Sequence, residues 1–362
     1  MNISTETYDL KTRSMFPDNC FITVVVTVYD RVNLVIDALE SLQKQTLHKD
    51  LFEVILVTNI PLNLPNFSNL NLYVIRSDAK KGTAKYLQGI ELSKGEVICF
   101  LEDDDVFVPN KLELVYSIFK NNPKLAFYRN KAIKTRNIKE VLDKKESAND
   151  INSKVRYYEL SELSPRIFWR MRRERASFNT STMCVRKKFY ETENVKSLMI
   201  RPDIAGDELI FAIPFTLNGP IQVATDSRKL TIYRIHESFT YSKYDFITDG
   251  SPISDKYVFF TFMKRHYQNM VLLFGHVDFI KRHSNLEIAA YSLKVSLIER
   301  KYIDHKILPK TLVLSILERN PSLIIYLFIY ATRLILPTRL NIKLERTVLK
   351  ILEIFAKSTH SW

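Results

Sequence analysis

The sequence predicts an α/β fold built on a mixed, mainly parallel sheet, with a helical region at its C-terminal end. Three observations carry this expectation. Apolar runs of strand length alternate with helical periodicities across residues 21–101. The runs are rich in β-branched residues without polar alternation, the pattern of strands covered on both faces. Beyond about residue 250 the pattern becomes helical and aromatic.

Phe21 to Val28 (FITVVVTV) reads as the first buried strand. Asp30 follows as a candidate cap, and Val32, Val35, Ile36, Leu39 and Leu42 recur at helical spacing through residues 31–45. Phe52 to Val57 and Leu72 to Ile75 are the second and third strands, and Gly82 to Leu92 is helical. Val97 to Leu101 (VICFL) is the fourth strand and runs directly into Glu102-Asp103-Asp104-Asp105. Residues 131–160, rich in Lys, Glu, Asn and Asp, are expected to form an exposed loop or short insertion. Regular signals resume at Arg175 to Val185, where Asn179-Thr180-Ser181-Thr182 lies on a predicted strand, at a helix over Glu208–Leu217 and at Ile221 to Tyr233. The 15 residues between Pro321 and Pro337 would span roughly 22 Å as a helix, short of a hydrocarbon core of about 30 Å. In a terminal helix, Leu344, Val348, Ile351 and Phe355 would form an apolar stripe beside a mainly basic face of Arg346, Lys350, Glu353 and Lys357, suited to an anionic membrane surface or to packing on its own domain. The expected division is a catalytic domain over 1–250 and a helical region over 251–362.

The net charge of +13 favours phosphate-rich partners. Seventeen Lys/Arg against seven Asp/Glu lie from Lys256 onward, so most of the excess sits in apolar-rich helices. That placement favours peripheral contact with an anionic membrane over nucleic acid, which would need a basic groove with stacking aromatics. The three cysteines, Cys20, Cys99 and Cys184, form no CxxC pair or disulfide framework. With a polar, charged first twenty residues, they lead to the expectation of a cytoplasmic protein, peripheral at the membrane face.

In the parallel sheet, Asp30, Asn59, Asp78 and the acidic cluster all fall just after strand ends, on the rim where such sheets bind ligands. Four consecutive carboxylates repel one another, and a divalent cation relieves the repulsion. The alternative is an acidic helix start before Pro109. Gly206-Asp207-Glu208-Leu209 is a second candidate, as a base or as a helix cap, and Tyr233-Arg234-Ile235-His236 a third. Trp169 to Arg175 (WRMRRER) is basic, either as an anion contact or as a solvated helix face.

The stretch TVVVTVYDRVNLVIDALESLQKQT, followed by FEVILV and by GIELSKGEVICFLEDDDVFVPNKLE, resembles the family 2 glycosyltransferases of the GT-A fold over roughly residues 20–240. The resemblance implies a Rossmann-like nucleotide-sugar site. It maps the DxD motif to Glu102-Asp103-Asp104, with Glu in place of the first Asp. It implies that Asp104 ligates Mg²⁺ or Mn²⁺, with His236 completing the shell. Thr27, Tyr29, Asp30, Asn59, Asp78, Glu102, Asp103 and Arg234 would contact the nucleotide sugar. Asp207, with Glu208 as the alternative, would be the catalytic base. Two further departures leave the nucleotide base open: Thr58-Asn59 stands where the second strand usually ends in Asp, and Lys85-Tyr86-Leu87-Gln88 replaces the usual Ala-Arg-Asn. A nucleotidyltransferase would want a glycine-rich first loop, and Tyr29 to Asn33 has no glycine.

The function so implied is an inverting, metal-assisted transfer of a sugar from a nucleotide-diphosphate donor to an acceptor hydroxyl, on a saccharide or a lipid-linked acceptor. The alternative is a basic membrane- or nucleic-acid-binding protein on a degenerate GT-A fold without transferase activity.

Overall fold

A computed structural model describes residues 5–7, 19–28, 31–79, 82–143, 154–160, 164–201, 203–235, 253–299, 301, 304, 306–318 and 321–335. The chain divides into two compact units, residues 1–236 and 237–362.

The first unit is built on a mixed sheet. Its strands are β1 (Thr5–Thr7), β2 (Ile22–Val28), β3 (Phe52–Thr58), β4 (Leu72–Ser77), β5 (Val97–Glu102), β6 (Val106–Phe107), β7 (Leu125–Thr135), β8 (Val155–Leu160), β9 (Met183–Arg186) and β10 (Ile221–Arg234). They lie in the order β1-β4-β3-β2-β5-β9-β7-β10-β6, with β8 paired to β10. β2, β3, β4, β5, β7 and β10 all run in one direction, and β1, β6, β8 and β9 run against them. The two longest ladders, β2–β3 and β7–β10, are parallel. As a result the carboxyl ends of β2, β3, β5 and β10 share one rim, and the chain entering the reversed β9 arrives at that rim too.

Helix α1 (Val32–Gln43) covers one face of the sheet: Val35, Leu39 and Leu42 share a core with Val24, Val26, Val28, Leu56, Cys99 and Leu101. Those strand positions alternate in sequence, as side chains pointing to one side of a pleated sheet must. Helix α2 (Gly82–Leu92) covers the opposite face. It comes so close at Gly89 that a Cβ there would lie 2.4 Å from Val25 Cγ1. The remaining helices of the unit are α3 (Lys111–Asn121), α4 (Ile138–Asp143), α5 (Ser164–Arg173), α6 (Glu193–Met199) and α7 (Gly206–Ala212).

The structure departs from the sequence expectation in three places. Residues 131–160 are not simply a loop. β7 continues to Thr135, α4 follows, and β8 pairs antiparallel with β10. Charged side chains dominate this stretch because several of its residues face solvent, which hides its strand periodicity; Lys131, Arg156 and Tyr157 are exposed. Asn179 to Thr182, expected on a strand, instead form a bend ending in a 3-10 turn at Thr180–Thr182, just before β9. Helix α7 ends at Ala212 and gives way to a 3-10 turn at Ile213–Thr216, where Pro214 cannot continue the hydrogen-bond ladder.

The second unit is helical: α8 (Ile253–Phe274), α9 (Asp278–Glu299), α10 (Ile307–Glu318) and α11 (Pro321–Ile335). Its core includes Phe260, Tyr267, Leu286, Ala290, Leu293 and Leu314. Among the described residues no helix is long and apolar enough to cross a membrane. The terminal helix expected around Leu344 to Phe355 lies outside the described residues.

Candidate active site

The site is built where β5 ends. Val97 to Leu101 are fully buried, so this strand is held rigidly up to the point where its acids begin. The chain then turns tightly, the Asp105 N–H donating to the Glu102 carbonyl at 3.2 Å, before β6 joins β10. The turn gathers the carboxylates. One oxygen from each of Glu102, Asp104 and Asp105 lies within 4.8 Å of the others. Asp103, Asp104 and Asp105 are buried, and Glu102 is half-buried.

Each acid has a defined set of partners. Arg31, at the start of α1, donates from Nη2 to Asp103 at 2.7 Å and from Nη1 to Asp104 at 2.5 Å. Asp105 accepts from Asn179 Nδ2 at 2.9 Å and from the Arg234 N–H at 3.1 Å. The Glu102 N–H donates to Ser181 Oγ at 3.0 Å, and the Glu102 carboxylate accepts longer contacts from Thr180 (3.3 Å) and Tyr86 (3.4 Å). Arg234, at the end of β10, donates from Nε to the Asp104 carbonyl at 2.9 Å and from Nη2 to Asp37. Beneath the cluster sits Lys111, fully buried, its Nζ donating to the Ser181 carbonyl at 2.6 Å and to Thr231 Oγ1 at 2.9 Å.

Crowding of buried anions sets the proton affinities. Burial, reinforced by the carboxylates of Asp104, Asp105 and Asp207, holds Glu102 well above the ordinary carboxylate range, with Arg31 opposing. Burial and Asp104 push Asp105 up to about 7, against hydrogen bonds from Asn179 and Ser181. Burial lowers Lys111 to about 8. Tyr233 is raised by burial and by the same carboxylates. A group of anions whose charged forms are disfavoured in this way is one that a divalent cation with oxygen preference would stabilise. The Glu102, Asp104 and Asp105 oxygens therefore fit a Mg²⁺ or Mn²⁺ ion.

Asp207 belongs to this field, for its charge raises both Glu102 and Tyr233. It lies in the first turn of α7, whose Gly206 packs against Thr83 and Tyr86 of α2. Burial and the neighbouring Glu208 push Asp207 up to about 7, while its Oδ1 accepts the Glu208 N–H at 2.9 Å. Glu208 is engaged elsewhere. It accepts from Arg172 and, at 3.0 Å, from Ser177 Oγ. The WRMRRER segment is thus divided: Arg172 turns inward to this pair, while Arg170, Arg173 and Arg175 are exposed.

Thr27 is buried near the end of β2. Asn59, exposed just after β3, accepts from Lys85 Nζ at 2.7 Å, and the same Nζ donates to the Val28 carbonyl at 2.5 Å. Lys85 is fully buried, so a residue that breaks the family pattern ties the ends of β2 and β3 together. Asp78 is exposed after β4, separated from the acidic cluster by β3 and β2. Tyr29, Asp30 and His236 lie outside the described residues. Sequence reasoning did not single out Arg31 or Lys111, named Lys85 only as a departure from the family pattern, and named Asn179 to Thr182 only as a stretch. Of the two missed residues, Arg31 carried a signal, as a lone cation next to a predicted strand end.

Residues 23–192 match the family described as Glycosyl transferase family 2. An uncharacterized glycosyltransferase of Haemophilus influenzae is 34% identical over 110 residues, which are 29% of this chain and 37% of that protein. A second, from Rickettsia bellii, is 34% identical over 108 residues, 28% of this chain and 15% of that protein. The chain therefore spans little more than a third, and about a seventh, of these curated relatives' lengths. Among solved structures, S. aureus TarS 1-349 in complex with UDP-GlcNAc aligns with a TM-score of 0.47 and 15% identity, over 76% of this chain and 73% of that one. The mannosyltransferase PcManGT from Pyrobaculum calidifontis, in complex with GDP-Man and Mn²⁺, aligns with a TM-score of 0.45 and 13% identity, over 86% of each chain.

Proposed function

We propose that this protein, whose residues 23–192 form a glycosyl transferase family 2 domain, is an inverting glycosyltransferase using a nucleotide-diphosphate sugar. The observation that carries the reading is the convergence of two separate carboxylate sets at one rim: Glu102, Asp104 and Asp105 after β5, and the buried Asp207 at the start of α7. In this reading Asp207 takes the proton from the acceptor hydroxyl. The acceptor oxygen bonds to the anomeric carbon as the bond from that carbon to the diphosphate oxygen breaks, leaving a nucleoside diphosphate and an inverted glycoside. A carboxyl titrating at about 7 is matched to such a transfer near neutral pH. Glu208, held by Arg172 and Ser177, orients the loop and helix start.

Glu102, Asp104 and Asp105 would hold Mg²⁺ or Mn²⁺, with His236 as a further ligand. When bound, the metal supplies charge stabilisation to the departing diphosphate. Arg234, fixed by the Asp104 carbonyl and by Asp37, stands at the same rim as a cationic contact for the donor. Thr27, Tyr29, Asp30, Asn59, Asp78 and Asp103 would complete the nucleotide-sugar pocket. The acceptor would be a saccharide or lipid-linked, with the basic helical unit working against the cytoplasmic membrane face. Its exposed Leu272, Ile316 and Phe328 support such contact.

One observation favours a second reading. Arg31 already neutralises part of the acidic cluster, as in a fold that has given up its metal. A thermal-shift screen separates the two readings. UDP-, GDP- and dTDP-sugars are tested with Mn²⁺ or Mg²⁺ on the wild type and on Asp104→Ala. A metal-dependent shift with one nucleotide, lost in the variant, is the expected result; a ligand at about 100 times Kd stabilises by about 2.7 kcal/mol. A well-folded protein that shifts with none of them would favour the second reading.

A further inference from the structure

The helical unit carries another set of metal-ligating side chains, on different elements from the acidic cluster. His283 and Glu287 lie four residues apart on α9, a spacing that places both on one helix face. Glu318 is the last residue of α10. One ligand atom from each of the three lies within 4.8 Å of the other two. His283 is 3% exposed and Glu287 7%, and Glu318 is partly buried. The Tyr267 ring meets the imidazole edge-on, with centroids 5.5 Å apart and planes at 89°, which limits rotation of the ring.

The spacing is informative. His283 Nδ1 and Glu318 Oε1 are 3.9 Å apart, beyond normal hydrogen-bond reach. Two ligands of one tetrahedral ion, each at about 2.0–2.1 Å, lie about 3.4 Å apart, so this pair would close by about half an ångström on binding. Two carboxylates close together in a helix core also need a nearby positive charge. A divalent ion held by all three side chains would supply it. We propose that His283, Glu287 and Glu318 bind a divalent transition-metal ion of the Zn²⁺ type, tying α9 to α10. One imidazole with two carboxylates suits such an ion, and the two carboxylates balance its charge.

The test uses the full chain, stripped with a chelator, on an Asp104→Ala background that impairs the other carboxylate cluster. Zn²⁺ is titrated while bound metal and melting temperature are followed, and Co²⁺ is added separately for its visible absorption bands. The expected result is about one retained equivalent of Zn²⁺, with the unfolding equilibrium suppressed about 100-fold when Zn²⁺ stands at 100 times Kd. Glu318→Gln should weaken binding more than about 100-fold and alter the Co²⁺ bands; a missing ligand has a larger effect than the 10- to 100-fold typical of an outer-shell partner. His283→Gln is the second variant and should lose the ion as well. Folded protein that retains no Zn²⁺ overturns the proposal. So does unchanged Zn²⁺ affinity in both variants. In either case the cluster is an ion pair on a protonated imidazole.

Discussion

Replacing Asp207 with Asn separates the proposed base from a merely structural cap. Asn keeps the shape and the Oδ1 that accepts the Glu208 N–H. It removes only the ionisation. Burial, then Glu208, lifts this carboxyl from 3.8 to about 7. At about 1.36 kcal/mol per pH unit, that rise corresponds to at most about 4 kcal/mol spent holding the ionised form in the folded protein. Because the folded value lies above the unfolded one, the favourable contribution is complete below about pH 3.8 and is lost as pH climbs through about 7. Asp207→Asn escapes that loss. Its stability relative to wild type, from urea unfolding, should grow between about pH 4 and pH 7 and level off above, reaching a few kcal/mol. Over the same series kcat should drop by about 10²–10⁴, and the rise in wild-type rate near pH 7 should disappear. Two results would refute the reasoning: a variant that keeps its kcat, or a stability difference that does not vary with pH.

Other perturbations follow from the same geometry. Arg31→Ala leaves Asp103 and Asp104 without their guanidinium and should lower stability by about 3–5 kcal/mol. Added Mn²⁺ should recover part of that loss, which melting curves with and without metal would reveal. Glu208→Gln leaves the inward-turned Arg172 short of its counter-charge and should cost about 3–5 kcal/mol by urea unfolding. Unlike Asp207→Asn, it should retain a rate profile that rises near pH 7. Gly89→Ala drives a methyl against Val25, where α2 lies on the sheet, and should cost about 1–3 kcal/mol by the same measurement.

The parts of the fold that could be read in advance were those with one dominant periodicity. β2, β3 and β5 are buried along nearly their whole length, so their apolar runs are continuous and their bounds came out within a residue of expectation. Helices α1 and α2 declared themselves by spacing. β7 and β8 were not read in advance, and beyond Asn130 their exposed charged side chains resemble those of a loop. Their strand character comes from backbone pairing with β10, a partner tens of residues away.

The candidate site divides in the same way. That four acids follow a buried strand, and that Asp207 opens a later helix, is local information, and the sequence alone determines it. Which charges meet those acids is not local. Arg31, the Asn179–Ser181 bend and Arg234 come from three separate segments, and Lys85 reaches across to bind Asn59 and Val28. The proton affinities of Glu102, Asp105 and Asp207 follow from burial and from one another's charge. Both fall off over a few ångströms of space whatever the separation along the chain, so only the tertiary structure decides them.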